Sequence, residues 1–253
     1  MHRHTALAAL AAIAAHTPSF AQLSFENNGL SGEASLAGSA SSGNTESSDV
    51  GLALKLQHEA QAIRHAFAAA YDYGSADGTA SKNRFNTSYE VNWLLNHRLF
   101  SFGRGAYELD EFDGYDYRAI VGGGLGYDIL QGETRSWSVQ GGPAYRIDQI
   151  EPVYDPMGAL LAPAERQTSA AMTLGSRFES QINDAVSVSN LTDVTSSSDT
   201  SVFFNSAALT TELMGSIAAR FSFDVAYDTN PPFGAEETDT ITRASLVYSF
   251  GGE

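Results

Sequence analysis

"ARFSFDVAYD", Ala219–Asp228, sets Phe221, Phe223, Val225 and Tyr227 on alternate positions, with Arg220, Ser222, Asp224 and Asp228 on the others. A period of two marks a β-strand, because successive side chains leave opposite faces of the pleat. Here one face is apolar and the other carries charge. The same grammar recurs along the chain. In "DVGLALKLQ", Asp49–Gln57, Val50, Leu52, Leu54 and Leu56 oppose Asp49, Gly51, Ala53, Lys55 and Gln57. In "AIRHAFAAAYDYG", Ala62–Gly74, Ile63, Phe67, Tyr71 and Tyr73 oppose Arg64, Asp72 and Gly74, and His65 interrupts the apolar face. In "DYRAIVGGGLGYDIL", Asp116–Leu130, Tyr117, Val121, Leu125, Tyr127 and Ile129 oppose Asp116, Arg118, three glycines and Asp128. "ITRASLVYSF", Ile241–Phe250, alternates Leu246, Tyr248 and Phe250 with Arg243, Ser245, Val247 and Ser249.

These segments are long, roughly ten to fourteen residues. Strands of soluble sheets run to about five or six, whereas a tilted strand crossing a membrane needs about nine to eleven. A soluble sandwich would fill the space between its sheets with bulky apolar side chains. Charge and glycine on one face of strand after strand, with apolar residues on the other, suit lipid outside and a polar lumen inside. Lipid cannot hydrogen-bond a backbone, so only a closed sheet can cross it. The links alternate in the same sense. Short ones fall near Ala60-Gln61, Asn96-His97, Gln131-Gly132-Glu133, Asn183-Asp184 and Met214-Gly215. Longer or more acidic ones fall at Ser41–Ser48, Ser75–Lys82, Glu111–Gly114, Ile150–Arg166, Thr195–Thr200 and Asn230–Glu237. The pattern predicts an all-β fold: a transmembrane antiparallel up-and-down β-barrel of about 12 strands. It has short periplasmic turns, longer extracellular loops and both chain ends on the periplasmic side. Ser31–Ser42 is its first strand. Tyr71, Tyr73, Trp93, Tyr107, Tyr117, Tyr127, Trp137, Tyr145, Tyr227 and Tyr248 lie near strand ends, as the aromatic girdles of such a barrel do.

The start of the chain, "MHRHTALAALAAIAAHTPSFAQ", reads as a secretory signal. It has a short basic head, an apolar run over Thr5–Ala15 and small residues at Ser19 and Ala21. Residues 1–21 are therefore expected to be removed, leaving 22–253 as one barrel domain. After Ala21 no stretch is long and apolar enough for a membrane helix. The chain of 253 residues carries a formal charge of −16, two lysines and no cysteine. That excludes disulfides and Cys-ligated metal, and gives nucleic acid no basic face to bind.

Several stretches resemble the salt-induced outer-membrane proteins, domain of unknown function 481. "GEASLAGSASSGNTESSDVGLALKL" is similar to the opening hairpin of that family. "GRGAYELDEFDGYDYRAIVGGGLGYDIL" and "QGGPAYR" resemble its central hairpins, and "SFDVAYDTNPPFGAEETDTITRASLVYSF" its last one. The resemblance implies a Gram-negative outer-membrane location and a barrel. It brings no catalytic residue, since the family has no assigned activity. Leu246, Tyr248 and Phe250 then form the segment that the outer-membrane assembly machinery is expected to recognise. Gly251, Gly252 and Glu253 follow Phe250, where such barrels commonly end on the aromatic itself.

Function is sought on the polar faces. Arg64, Arg84, Arg104, Arg118, Arg146, Arg177, Arg220 and Arg243 fall there, with Glu90, Glu108, Glu179, Asp116, Asp128 and Asp224. Counting from the short turns puts Arg104, Arg243 and Asp224 near mid-height and Glu90 a little lower. Neighbouring strands are expected to set Glu90 beside Arg104 and Asp224 beside Arg243, since opposite charges pair across strands. Two roles stay open for this ladder. It forms a charged constriction on a narrow or gated path for small cations or polar solutes. Alternatively, it plugs a closed barrel that serves the envelope under salt or osmotic stress.

Acidic residues crowd the outer end: Asp72, Asp77, Asp110, Glu111, Asp113, Asp116, Asp148, Asp155, Glu236, Glu237 and Asp239. They would gather cations, or share divalent ions with lipopolysaccharide, or simply be solvated. The longest loop, Ile150–Gln167, is read three ways: folded inward, against lipid headgroups, or exposed. A lipid hydrolase is the enzymatic alternative, but His58, His65 and His97 all lie near periplasmic turns, away from the middle of the wall. No catalytic residue, metal ligand or cofactor is expected. Mass spectrometry of protein recovered from membranes tests the processing site: the expected first residue is Gln22.

Overall fold

The computed structural model describes residues 29–41, 47–112, 114–155, 157–231 and 237–251. Signal residues 1–21 lie outside them, as do Ser42, Asp113 and Glu236. Fourteen strands follow one another with no helix among the described residues. They are β1 (Leu30–Ser41), β2 (Ser47–Ala60), β3 (Ile63–Ala76), β4 (Thr79–Leu94), β5 (Leu99–Asp110), β6 (Tyr115–Gln131), β7 (Arg135–Ile150), β8 (Val153–Tyr154), β9 (Leu160–Ala162), β10 (Glu165–Asn183), β11 (Val186–Ser197), β12 (Ser201–Met214), β13 (Ile217–Asp228) and β14 (Thr238–Phe250). Twelve of them close an antiparallel barrel in chain order, with β14 pairing β1; β8 and β9 form a separate two-stranded sheet in the longest loop.

Facing follows the alternation. On β14, Leu246 and Tyr248 are 50% and 53% exposed, while Val247 between them is 1% exposed. Outward Leu52, Leu54, Val121, Leu125, Leu174, Phe221 and Phe223 continue an apolar belt around the wall. Such a belt is stable only against lipid. Outward rings stand toward both ends of the strands: Trp93, Tyr127, Trp137 and Tyr248 toward the end that holds Leu30 and Phe250, and Tyr73, Tyr107 and Tyr227 toward the far end.

At the terminal end the connections are two to four residues long. The far end is less uniform than the link lengths suggest. Ser75–Lys82 is not a loop: β3 and β4 run on to a two-residue turn, Asp77-Gly78, both at positive φ (50° and 76°). That is the turn whose twist matches a hairpin, and Asp-Gly is its favoured sequence. β11 and β12 are joined by only three residues, Ser198–Thr200. The long loop carries the β8–β9 hairpin. Its turn is held by Asp155, whose carboxylate accepts from the amides of Met157 and Ala159. Met157 is 95% exposed, and Leu160 and Leu161 are exposed too.

Two bulges on β6 correct the expected facing. The register shifts between Tyr115 and Tyr117, which turns Asp116 out to solvent and Tyr115 inward. Buried Tyr115 lies 4.6 Å beneath the Arg118 guanidinium. A second shift puts Leu130 rather than Ile129 on the outer face. The β6–β7 ladder also skips Gly123 and Gly124 opposite Gly142 and Pro143. Pro143 has no N–H to give. The backbones approach so closely there that a Cβ on Gly142 would strike the Gly123 carbonyl. Substituting Leu246 by Arg, on the lipid face between the two girdles, is expected to lower stability by about 2–4 kcal/mol. Ser245→Arg, facing the lumen, is expected to cost less. Denaturant unfolding in lipid vesicles measures both.

Candidate functional site

The inward face of this wall is where the sequence concentrates charge, and the barrel brings it together. Arg64, Arg84, Arg104, Arg118, Arg146, Arg177, Arg220 and Arg243 all point inward, as do Glu90, Glu108, Glu179 and Asp224. The expected neighbours are met in part. Glu90 is the register partner of Arg104. Asp224 stands opposite Ile241, and Arg243 opposite Ser222, so those two are diagonal rather than side by side.

Among the described residues, ion pairing runs across the lumen as well as along the wall. Glu90 on β4 accepts from Arg177 Nη2 on β10 at 3.2 Å, four strands away. Arg104 on β5 reaches Asp193 on β11 at 3.2 Å, again four strands away. Arg243 on β14 meets Asp72 on β3 at 3.5 Å, Arg64 on β3 meets Asp128 on β6 at 3.2 Å, and Arg220 on β13 grips Glu33 on β1 with two bonds of 3.0 Å. Along the wall lie Glu108 with Arg118 at 2.5 Å, Arg146 with Asp148 at 2.6 Å, Arg64 with Glu59 at 3.5 Å and Arg84 with Asp72 at 4.0 Å. Asp224 accepts from Ser206, and Gln140 Nε2 donates to Glu90 at 3.0 Å.

The first two pairs define a layer. Glu90, Arg104, Gln140, Arg177 and Asp193 lie five to eight residues up their strands, counted from the terminal end. Below them a cavity of about 520 Å³ opens to that end, lined among others by Glu33, Lys55, Arg64, Asn92, Asp128, Gln140, Arg177, Glu179 and Arg220. Its lining includes none of Glu90, Arg104, Asp193, Asp72 or Arg243. The far half is packed: Arg118 and Asp228 are each 1% exposed, and Arg84, Glu108, Arg146, Asp148 and Asp110 are buried.

Part of this interior is apolar, which a uniformly polar lumen does not predict. Leu191, Val202, Phe204 and Ala226 pack together on the inner face of β11–β13. Phe100 and Phe102 also face inward, on the same parity as Arg104. Glycine makes the room, since a Cβ on Gly126 would collide with the Phe100 ring. Asp193 and Glu33 were not singled out from the sequence. The outer face of β11 mixes Val186, Val188 and Val194 with Asn190 and Thr192, which hydrogen-bond with Asn205, and its inner face mixes Leu191 with Asp193, so alternation marks the lumenal residues of β11 only weakly.

Among the described residues no histidine lies in the middle of the lumen. His58 and His65 stack on the outer face, His65 Nδ1 sits 2.7 Å from the Tyr89 hydroxyl, and His97 belongs to the β4–β5 turn. Among the described residues no group of three or more His, Asp and Glu side chains is placed to hold a metal ion. At the far rim, burial and the neighbouring Asp116 and Glu111 carboxylates push the Glu151 carboxyl up. Leu246, Tyr248 and Phe250 occupy outward positions of the closing strand beside β1, with Tyr248 and Phe250 stacked at 6.2 Å.

This architecture is that of the outer-membrane β-barrels. The translocator domain of the autotransporter NalP from Neisseria meningitidis superposes with a TM-score of 0.54 at 12% identity, over 90% of this chain and 91% of that one. The NanC porin superposes with a TM-score of 0.50 at 12% identity, over 88% and 100%. The chain belongs to the family described as Protein of unknown function, DUF481, whose pattern it matches over residues 34–250. Within reach by sequence is the uncharacterized protein YdiY of Escherichia coli K12. It is 25% identical over 183 residues, which span 70% of this chain and 68% of the relative.

Removing one partner of a buried pair strands the other charge, which costs about 3–5 kcal/mol. Glu90→Met and Arg177→Met are each expected to approach that loss. The double variant is expected to lose less than the sum, and a double-mutant cycle in denaturant reads the coupling.

Proposed function

We propose that the protein resides in the bacterial outer membrane, terminal end toward the periplasm, and passes small polar solutes or ions through a narrow, gated lumen. The observation that carries this is the cross-lumen layer. Glu90–Arg177 and Arg104–Asp193 separate an open periplasmic vestibule from the far half, and they do so with charged side chains rather than with backbone or a folded-in loop. A barrier of flexible ion pairs can exchange partners with a passing ion, whereas a packed apolar plug cannot. The acidic far rim favours cations, whose local concentration rises in a field of that sign. Lipopolysaccharide and lipid surround the wall. The assembly machinery is the expected partner of Leu246, Tyr248 and Phe250. No chemistry is assigned: a hydrolase needs a histidine within reach of its serine, and the described histidines sit on the outer face or in a turn.

A second role has its own support. Buried Arg118, Asp228, Val202 and Phe204 fill the far half, as expected of a closed barrel that stiffens the envelope under salt or osmotic stress.

Recording from single proteins in planar bilayers separates the two. A gated path is expected to show small, cation-favouring openings, and Arg104→Ala with Glu90→Ala to raise open probability or conductance severalfold. Silence at all voltages in both the parent and that variant removes the pathway and leaves the closed barrel.

A further inference from the structure

Three polar rings stand on the outer face where the wall is otherwise apolar. His58 on β2, His65 on β3 and Tyr89 on β4 form a row across three neighbouring strands. The rings of His58 and His65 stack at 6.2 Å, and those of His65 and Tyr89 at 6.1 Å. Around them on the same face are Leu56, Ile63, Phe67, Val91 and Trp93.

Their height is that of the membrane interface. His58 pairs His65 in the third rung above the β2–β3 turn. Trp93 pairs Ile63 two rungs below the pair of His65 and Val91. Amphipathic rings such as Trp93 mark the headgroup level, so the imidazoles sit just inside it. A tyrosine hydroxyl facing lipid needs a partner, and His65 Nδ1 at 2.7 Å supplies one to Tyr89. With Tyr89 donating to Nδ1, the imidazole proton is carried on Nε2, which becomes a donor beyond the stack.

Charge is uneven around this rim. All three described histidines, with Arg98, belong to β2, β3 or the β4–β5 turn. The carboxylates nearest in sequence, Glu59 and Glu90, face the lumen, where they meet Arg64 and Arg177. Elsewhere on the rim, exposed Glu133, Asp184 and Glu212 stand against exposed Arg135.

We propose that this sector of the outer wall binds an anionic phospholipid and holds its phosphate against the two imidazoles. His65 Nε2 and the His58 ring donate to phosphate oxygens, Arg98 adds positive charge from the turn below, and an acyl chain lies on Phe67 and Tyr89. Anionic lipid gathers where cations cluster at a membrane surface, and the described carboxylates of this sector are turned away from it. The site rests on the membrane location proposed above.

The chain has two tryptophans, and they report separately. Trp93 adjoins the site on β4, while Trp137 is outward on β7, three strands on. Barrels with one tryptophan, Trp137→Phe or Trp93→Phe, are inserted into phosphatidylcholine vesicles holding a minor share of brominated phosphatidylglycerol. Quenching of Trp93 is expected to exceed that of Trp137, as though the anionic lipid were enriched severalfold there. His58→Phe with His65→Phe and Tyr89→Phe keeps three rings and removes their polar atoms, and the excess is expected to vanish. Arg98→Gln, in an exposed turn, is expected to lower it in part. Equal quenching of the two tryptophans in the parent overturns the site, as does an excess that either variant leaves intact. Brominated phosphatidylcholine quenches both tryptophans of any inserted barrel; its failure to do so overturns the membrane location on which the site depends.

Discussion

A backbone that crosses lipid must find every hydrogen bond within its own sheet, and almost everything in this molecule follows from that. Closure removes the sheet edges, so the last strand must lie beside the first. The pleat then sends alternate side chains to lipid and to lumen with no third option. Twelve strands leave an interior between that of a small barrel filled by side chains and that of a wide aqueous channel. Long side chains that can meet across it are the solution this chain uses, and arginine is well fitted for it. Its planar fork reaches far, stays charged and pairs carboxylates from any side.

The charges consequently form a bridge rather than a lining. Glu90–Arg177 and Arg104–Asp193 each link strands a third of the circumference apart. Each is anchored by its own strand's hydrogen bonds, so breaking a bridge leaves the wall intact. Under the proposed pathway, the closed sheet would keep the barrel's shape while the bridges obstruct the lumen. The terminal-end vestibule and the packed far half differ in just this respect. The first keeps space beside its ion pairs, and the second fills it with Arg118, Asp228, Val202 and Phe204.

Alternation alone made the fold legible, because a barrel imposes one rule on every strand and the apolar residues of segments such as Ala219–Asp228 obey it. The same parity placed inward the eight arginines singled out on the polar faces. Their partners were not legible. A register partner can be counted from a turn, as Glu90 and Arg104 show, but a chord across the lumen depends on the tilt accumulated over four strands. Local exceptions were also hidden. The bulge at Tyr115 and Tyr117 costs one residue of phase and turns Asp116 outward, and no composition rule announces it. Phe100 and Phe102 share Arg104's parity and were readable as inward. The fold gives the reason they are tolerated, which is the glycine face of β6 opposite them.

The ladders also differ in strength by their length. β7 and β10 share sixteen rungs, while β14 holds eleven with β13 and six with β1. Under mechanical load these bonds do not share the force equally. A pull that peels β14 meets little resistance on the β1 side and much on the other, so the ring parts at its final closure before any hairpin yields. The barrel would then unroll as one connected sheet, keeping its hairpins together.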